Sequence, residues 1–465
     1  MSNKINIACC FAIKAPTGLS WPGIHQDYNE RITHYLNLMK NNFSADDIKF
    51  DSIILNAATS DIELENIVST HDGVVMFLLA HGTALGQRIS KMLKHGLIVD
   101  DPFGGSGDII RTTCAVRDGD FPVETIGTLN ENALIHKIKV YLAIPRIQKS
   151  RILVFKNFAK MSSVKETELV ASIGTGSTMK RYRAGKLGFE KTVNRIKEVF
   201  GVDVVVKTLD DLENYKNQVD EVEAKKFADQ WNDQAVEVVE PTQKDLLESA
   251  RMHLALEKAK KECNADVVSV DCILMFFAYD LGVYPCLSFF EMNNNGEVGV
   301  CEGDLEASVT CLISQIVAGR PGFVSDPFVD TENNQVVFAH CVASCKPYGP
   351  KGPSSPYKIR THAEDDLSAA LQVEMPTNEP LTTFKVSSKD RAMSIHSGVS
   401  IGNIDHKCGC RTKLVESVTS GKQIMRNWHN EIFSWHRVTV VGEYRKDFED
   451  IAKYLGLKLY EEDVN

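Results

Sequence analysis

Residues 5–11 (INIACCF), 51–56 (DSIILN) and 73–80 (GVVMFLLA) are three short apolar runs separated by helical patterns near 26–41, 61–69 and 85–95. Strands that alternate with helices predict βαβ units and a parallel sheet. Ligands of such sheets bind beyond the carboxyl ends of the strands. His81-Gly82-Thr83 falls at one of those ends, which makes His81 a candidate substrate contact, and the loop 101–108 (DPFGGSGD) falls at another.

A second alternating unit begins at 151–155 (RILVF) and continues through a strand at 202–206. Charged helices follow across 209–235 and 242–262, then a strand at 267–273. The glycine-rich Gly174-Thr175-Gly176-Ser177 is a candidate phosphate cradle, though it lacks the third glycine of the dinucleotide fingerprint. Beyond about residue 298 the texture changes. A helix at 305–316 leads into Pro-, Gly- and Ser-rich turns (348–355, YGPKGPSS) and β-type runs such as LTTFKVSS and SIHSGVSIGNI. A strand at 437–442 and an amphipathic helix at 447–455 close the chain. The expected fold class is α/β: two open parallel-sheet, Rossmann-like domains (1–150 and 151–297), followed by a β-rich domain (298–465).

Composition narrows the class of protein. A chain of 465 residues is too long for one core. A formal net charge of −10 argues against a nucleic-acid surface. No apolar run approaches the roughly 20 residues that span a bilayer. The start, MSNKINIACCFAI, reads as a first buried strand rather than a signal peptide, because no small-residue cleavage site follows. Twelve cysteines without a regular framework point to reduced thiols, and hence to the cytoplasm.

The chemistry concentrates in the last third. Apolar runs at 265–273 and 335–339 flank Cys301-Glu302-Gly303-Asp304, which opens a helical pattern, and His340 follows the second run directly. Further on come Asn427-Trp428-His429 and Trp435-His436-Arg437, the latter placing an imidazole at the start of a strand. Carboxylates at a strand-to-helix junction and histidines at strand ends suit a hard divalent cation or a proton-shuttling site. Each also has a structural use. A carboxylate that opens a helix caps it, and a histidine beside a strand is commonly a satisfied interior residue. Trp435, and with it Trp428, would suit stacking on a sugar face, and Arg437 a contact to substrate oxygens; packing and surface ion pairing are the structural alternatives.

Taken together, these segments resemble the sugar isomerases of the L-fucose and L-arabinose isomerase superfamily. Gly282-Val283-Tyr284-Pro285-Cys286, Asn293-Asn294-Asn295-Gly296 and Cys301-Glu302-Gly303-Asp304 are similar to the family's segment before its metal-binding aspartate. The run ending Phe338-Ala339-His340 resembles the strand that delivers a ligand histidine in the arabinose branch, and Trp435-His436-Arg437-Val438-Thr439-Val440 resembles the segment of the late histidine ligand. The resemblance implies a homo-oligomer, trimeric or hexameric, acting on a small carbohydrate. A Mn²⁺-type ion would be held by carboxylates and histidines, and an aldose and a ketose would interconvert through an enediol. Asp304 would be a ligand and proton relay, His436 and His340 ligands, and Glu302 a ligand or a group that orients the site.

One position departs from the family. Met275 stands about where the fucose branch has a glutamate, and a thioether is a poor ligand for a hard cation. Either Asp271, Asp280 or Glu302 takes that role, or the chain no longer performs the isomerisation. Two rivals therefore stay open: hydrolysis or elimination of a glycoside on the same fold, and sugar binding without turnover. A zinc site from Cys341, Cys345, Cys408 and Cys410 with His340 and His406 is a further alternative, at spacings that match no regular zinc ribbon.

Overall fold

A computed structural model of the chain describes residues 4–14, 21–156, 158, 165, 177–273, 275 and 282–464. The glycine-rich stretch at 174–176 and Asp280 lie outside them. The chain divides into two compact units, Met1–Lys149 with Lys446–Lys458, and Ser150–Arg445 with Leu459–Asn465.

The first unit is built on a five-stranded sheet of β1 (Ile5–Ala12), β2 (Ile48–Leu55), β3 (Gly73–Leu78), β4 (Gly96–Asp100) and β5 (Val123–Gly127), in the order β2-β1-β3-β4-β5. All four pairings are parallel. β3 is buried at every residue, as expected where helices cover both faces of a parallel sheet. On one face Ala8, Cys10, Val74, Met76 and Ile98 pack against Leu64, Ile67, Leu85, Ile89 and Val116 from the covering helices. The expected helix at 85–95 is only Leu85–Ser90, and the loop 101–108 turns directly into the helix Ser106–Asp118. Gly105 must be glycine in that loop, because a Cβ there would lie 2.4 Å from Asp100 Oδ1 and 2.5 Å from the Leu78 side chain. The helix Arg445–Tyr454 contributes to this unit. Its Asp450 bonds Lys137 at 2.6 Å, and its Tyr454 ring stacks at a tilt on Tyr141.

The second unit begins with a four-stranded parallel sheet of β6 (Arg151–Phe155), β7 (Asp203–Lys207), β9 (Val267–Val270) and β10 (Val298–Cys301), ordered β10-β9-β6-β7. Between β7 and β9 lies the two-residue β8 (Glu237–Val238). The charged span 209–235 is two helices, Leu209–Lys216 and Glu221–Gln234, because Asp220 caps the second through the Glu223 amide. The strand expected at 267–273 ends at Val270.

The β-rich region follows, with β11 (Phe323–Asp330), β12 (Gln335–His340), β13 (Tyr357–Arg360), β14 (Ala370–Val373), β15 (Pro380–Ser387), β16 (Ala392–Asn403), β17 (Thr412–Ser417), β18 (Arg437–Val441) and β19 (Lys458–Glu461). β13 and β14 join β8 in a small sheet. The others run β15-β18-β11-β12-β17-β16-β19, and an additional β15–β16 pairing closes six of them into a barrel. The barrel shelters a buried ionic cluster. His396 lies 2.8 Å from Glu462 and 3.1 Å from Glu416, and Arg437 bonds Glu462 at 2.7 Å. All twelve cysteines are free thiols. No described helix is long and apolar enough to cross a membrane.

Candidate metal centre and adjoining cavity

Two structural layers of the second unit meet at the candidate site. From the parallel sheet, β10 ends at Cys301 and the chain reverses through two left-handed residues, Glu302 (φ +64°) and Gly303 (φ +60°). A Cβ on Gly303 would come within 3.2 Å of Asp271 Cβ, so the turn is held close against the end of β9. A left-handed glutamate is uncommon, and such strain concentrates at functional positions. Asp304 then caps the helix Leu305–Ala318, its Oδ1 accepting from the Ala307 amide at 2.8 Å.

The barrel supplies the rest. β11 lies between β12 and β18, with Asp326 opposite Ala339 on one side and Ser325 opposite Arg437 on the other. This antiparallel register brings Asp326, His340 and His436 to one rim. Lys385, on β15, reaches the same point and donates to Asp304 Oδ2 at 2.9 Å.

The groups converge closely. One ligand atom each from Glu302, His340 and His436 lies within 4.8 Å of the others. His436 Nδ1 is 3.0 Å from Asp304 Oδ2, while its Nε2 is 3.6 Å from Glu302 Oε2 and 3.3 Å from Asp326 Oδ1. His340 Nε2 is 3.5 Å from Glu302 Oε1. Both imidazoles are buried, at 5% exposure for His340 and 2% for His436.

Electrostatics mark this as a site that seeks positive charge. Burial works against a charged His436, yet the Glu302 charge and the hydrogen bonds from Asp304 and Asp326 push it up to about 10. His340 is raised as well: burial opposes its charge, but Glu302 and Asp326 outweigh it. Protons or a divalent ion can balance these carboxylates, and the donor set of one carboxylate and two imidazoles fits a divalent ion. His436 Nε2 and Asp326 Oδ1 are buried atoms without a hydrogen-bond partner, as ligand atoms awaiting an ion would be.

The two imidazoles are prepared differently. The Asp304 carboxylate accepts from His436 Nδ1–H, which leaves the Nε2 lone pair to face the cluster, the arrangement that orients metal-ligating histidines. His340 Nδ1 instead accepts from the Cys341 amide at 3.0 Å, which places the neutral ring's hydrogen on Nε2.

The remaining sequence candidates fall elsewhere. His81 sits in the first unit, 3.5 Å from Asp108. Trp435 is partly exposed, at 42%. Arg437 is fully buried, bound to Glu462, and lies 3.7 Å above the Trp428 ring, so it serves the barrel interior and occupies that indole's face. Met275 is buried at 4% exposure, and Asp271 is committed to a buried ion pair with Lys156. Of the substitutes considered for the family glutamate, Glu302 is the one that joins the described ligand group. Among the described residues, no group of three or more potential ligands includes Cys341, Cys345, Cys408, Cys410 or His406.

Sequence reasoning missed Asp326 and Lys385. The signal for Lys385 was present: it is a single ammonium inside PLTTFKVS, a strand buried from Leu381 onward. Asp304 and Lys385 also line a cavity of about 330 Å³, walled by Phe189 and Phe433.

No protein-family model matches the chain. A segment of 124 residues is 30% identical to proteins named sulfoquinovose isomerase from Priestia aryabhattai and Priestia megaterium. The match spans 26% of this chain and 27% of each relative.

Proposed function

We propose that this protein is a metal-dependent aldose–ketose isomerase of the fucose/arabinose isomerase type. The observation that carries the reading is the convergence of Glu302, His340 and His436 beside an orphaned Nε2, at the rim of a cavity large enough for a small sugar. The partial similarity to sugar isomerases supports the same reaction class.

Glu302, His340 and His436 would hold a divalent ion, with Mn²⁺ the first choice, and Asp326 Oδ1 lies beside them. When bound, such an ion supplies Lewis-acid polarisation of the sugar carbonyl. The chain's own groups do the rest. Asp304 fixes the His436 tautomer, and Lys385 fixes Asp304. Asp304 already accepts hydrogen bonds from Ala307, Lys385 and His436, so we assign the proton relay to Glu302. Its carboxylate takes the C2 proton of an open-chain aldose to give an enediol and returns it to C1, while the hydroxyl proton passes from O2 to O1. A positioned carboxylate of this kind contributes about 10²–10⁴-fold in rate.

The test has two stages. Elemental analysis of protein purified without chelator should find about one transition metal per chain in the wild type and little in His436→Ala. Sulfoquinovose and neutral aldoses are then incubated in deuterated water and exchange at C2 is followed by NMR. Absence of bound metal even after Mn²⁺ is added, or absence of exchange with every aldose, would sink the reading.

A further inference from the structure

The cavity that holds Asp304 also carries cations with nothing to neutralise them. Four basic side chains line it: Lys156, Arg195, Lys385 and Lys389. Two are already balanced, Lys156 by Asp271 and Lys385 by Asp304. Arg195, on the helix Ser177–Phe200, and Lys389, just past β15, have no hydrogen-bond or ion-pair partner among the described residues. Two other carboxylates line the space. Glu306 is occupied, accepting from the Ser388 amide at 2.6 Å and its hydroxyl at 2.7 Å, and Glu431 is exposed.

Unpaired cations in a chain of net charge −10 stand out. They share a concave space with the reacting end of the site and with the aromatic wall of Phe189 and Phe433. A small-molecule site needs this combination: an apolar wall, a reactive end and a few polar groups that fix orientation. A guanidinium presents a planar fork suited to a tetrahedral oxyanion, and an ammonium adds a point charge.

We propose that the substrate is a sugar carrying a sulfonate or phosphate remote from its carbonyl end, and that Arg195 and Lys389 bind this anion while the carbonyl end lies at Glu302 and Asp304. The proposal rests on the isomerase reading for its reaction and on the cavity for its specificity.

The test compares D-glucose, D-glucose 6-phosphate and 6-deoxy-6-sulfo-D-glucose with the metal-loaded full chain. The expected result is a kcat/KM for one anionic sugar at least about 100-fold above that for glucose. In Arg195→Gln/Lys389→Gln that ratio should fall about 10-fold or more, mainly through KM, and Arg195→Lys should recover part of it. Which anionic sugar is preferred separates sulfonate from phosphate. A wild type that turns over glucose as well as either anionic sugar overturns this inference and leaves the isomerase reading standing. So does a ratio unchanged in a double variant whose circular dichroism and Tm match wild type. If no sugar is exchanged, the isomerase reading fails by itself, and calorimetric titration with the two anionic sugars decides the inference. Binding that the double variant loses supports it, and no binding by wild type overturns it.

Discussion

Asp304 Oδ2 lies 3.0 Å from His436 Nδ1, across 132 residues of chain, and the same oxygen accepts from Lys385. One carboxylate therefore caps a helix, orients an imidazole and neutralises a buried lysine. Helix, β18 and β15 are tied together at the point where the ligand atoms converge.

The first prediction concerns that tie. Asp304→Asn keeps the size of the side chain but removes the charge that fixes the His436 tautomer. Mn²⁺ affinity should fall about 10–100-fold. His436→Gln should cost more than His340→Gln, because only His436 presents a lone pair already aimed at the cluster. Competition titration against a fluorescent chelator measures all three, and equal losses for the two histidine variants would refute the assigned difference.

Lys385 is 1% exposed, and its loss would strip a partner from Asp304. Breaking a buried pair from one side costs about 3–5 kcal/mol, so Lys385→Met should lower stability by roughly that amount. Lys385→Met/Asp304→Asn should recover a substantial part, since no unpaired charge then remains. Urea unfolding followed by circular dichroism reads both.

The barrel cluster predicts a pH dependence. Burial opposes a charged His396, but Glu416 and Glu462 raise it from 6.5 to about 10. Glu462 is held at about 2, because Arg437 and His396 outweigh its burial. The histidine's contribution to stability is complete below about pH 6.5 and is lost as pH rises towards 10. The glutamate's contribution is complete above about 4.5 and is lost as pH falls towards 2. Between pH 7 and 10 stability should decline by at most about 1.4 kcal/mol per unit from this histidine. In His396→Gln the alkaline decline in Tm should flatten; a curve parallel to wild type would count against the cluster.

Gly303 adopts φ +60° with its α-hydrogen turned towards Asp271. Gly303→Ala should cost about 1–2 kcal/mol through left-handed strain and the close Asp271 contact. It should also weaken Mn²⁺ binding by shifting Glu302. Loss of stability with metal affinity unchanged would separate the turn from the site.

Much of this architecture was legible in local patterns. Apolar runs at 5–11, 73–80 and 151–155 are strands because sheets covered on both faces require continuous hydrophobicity, and Asp304 reads as a helix start because a carboxylate satisfies orphan amide donors. Glu302, His340 and His436 were visible as ligand types at element ends. Other features depend on pairing between distant segments. Closure of the barrel needs β15 to bond both β16 and β18, and strand register is set by burial across the whole sheet. Asp326 enters the site because β11 lies between β12 and β18. Lys385 enters because a neighbour 81 residues away supplies its counter-charge. Arg437 looked from its sequence neighbours like a substrate contact, yet alternation along β18 turns it towards Glu462. Sequence by itself determined which segments become strands and helices and which side chains could bind a cation, because those depend on residues close along the chain. Tertiary structure alone decided which of them share one site, because buried charge is stable only where a partner from another element meets it.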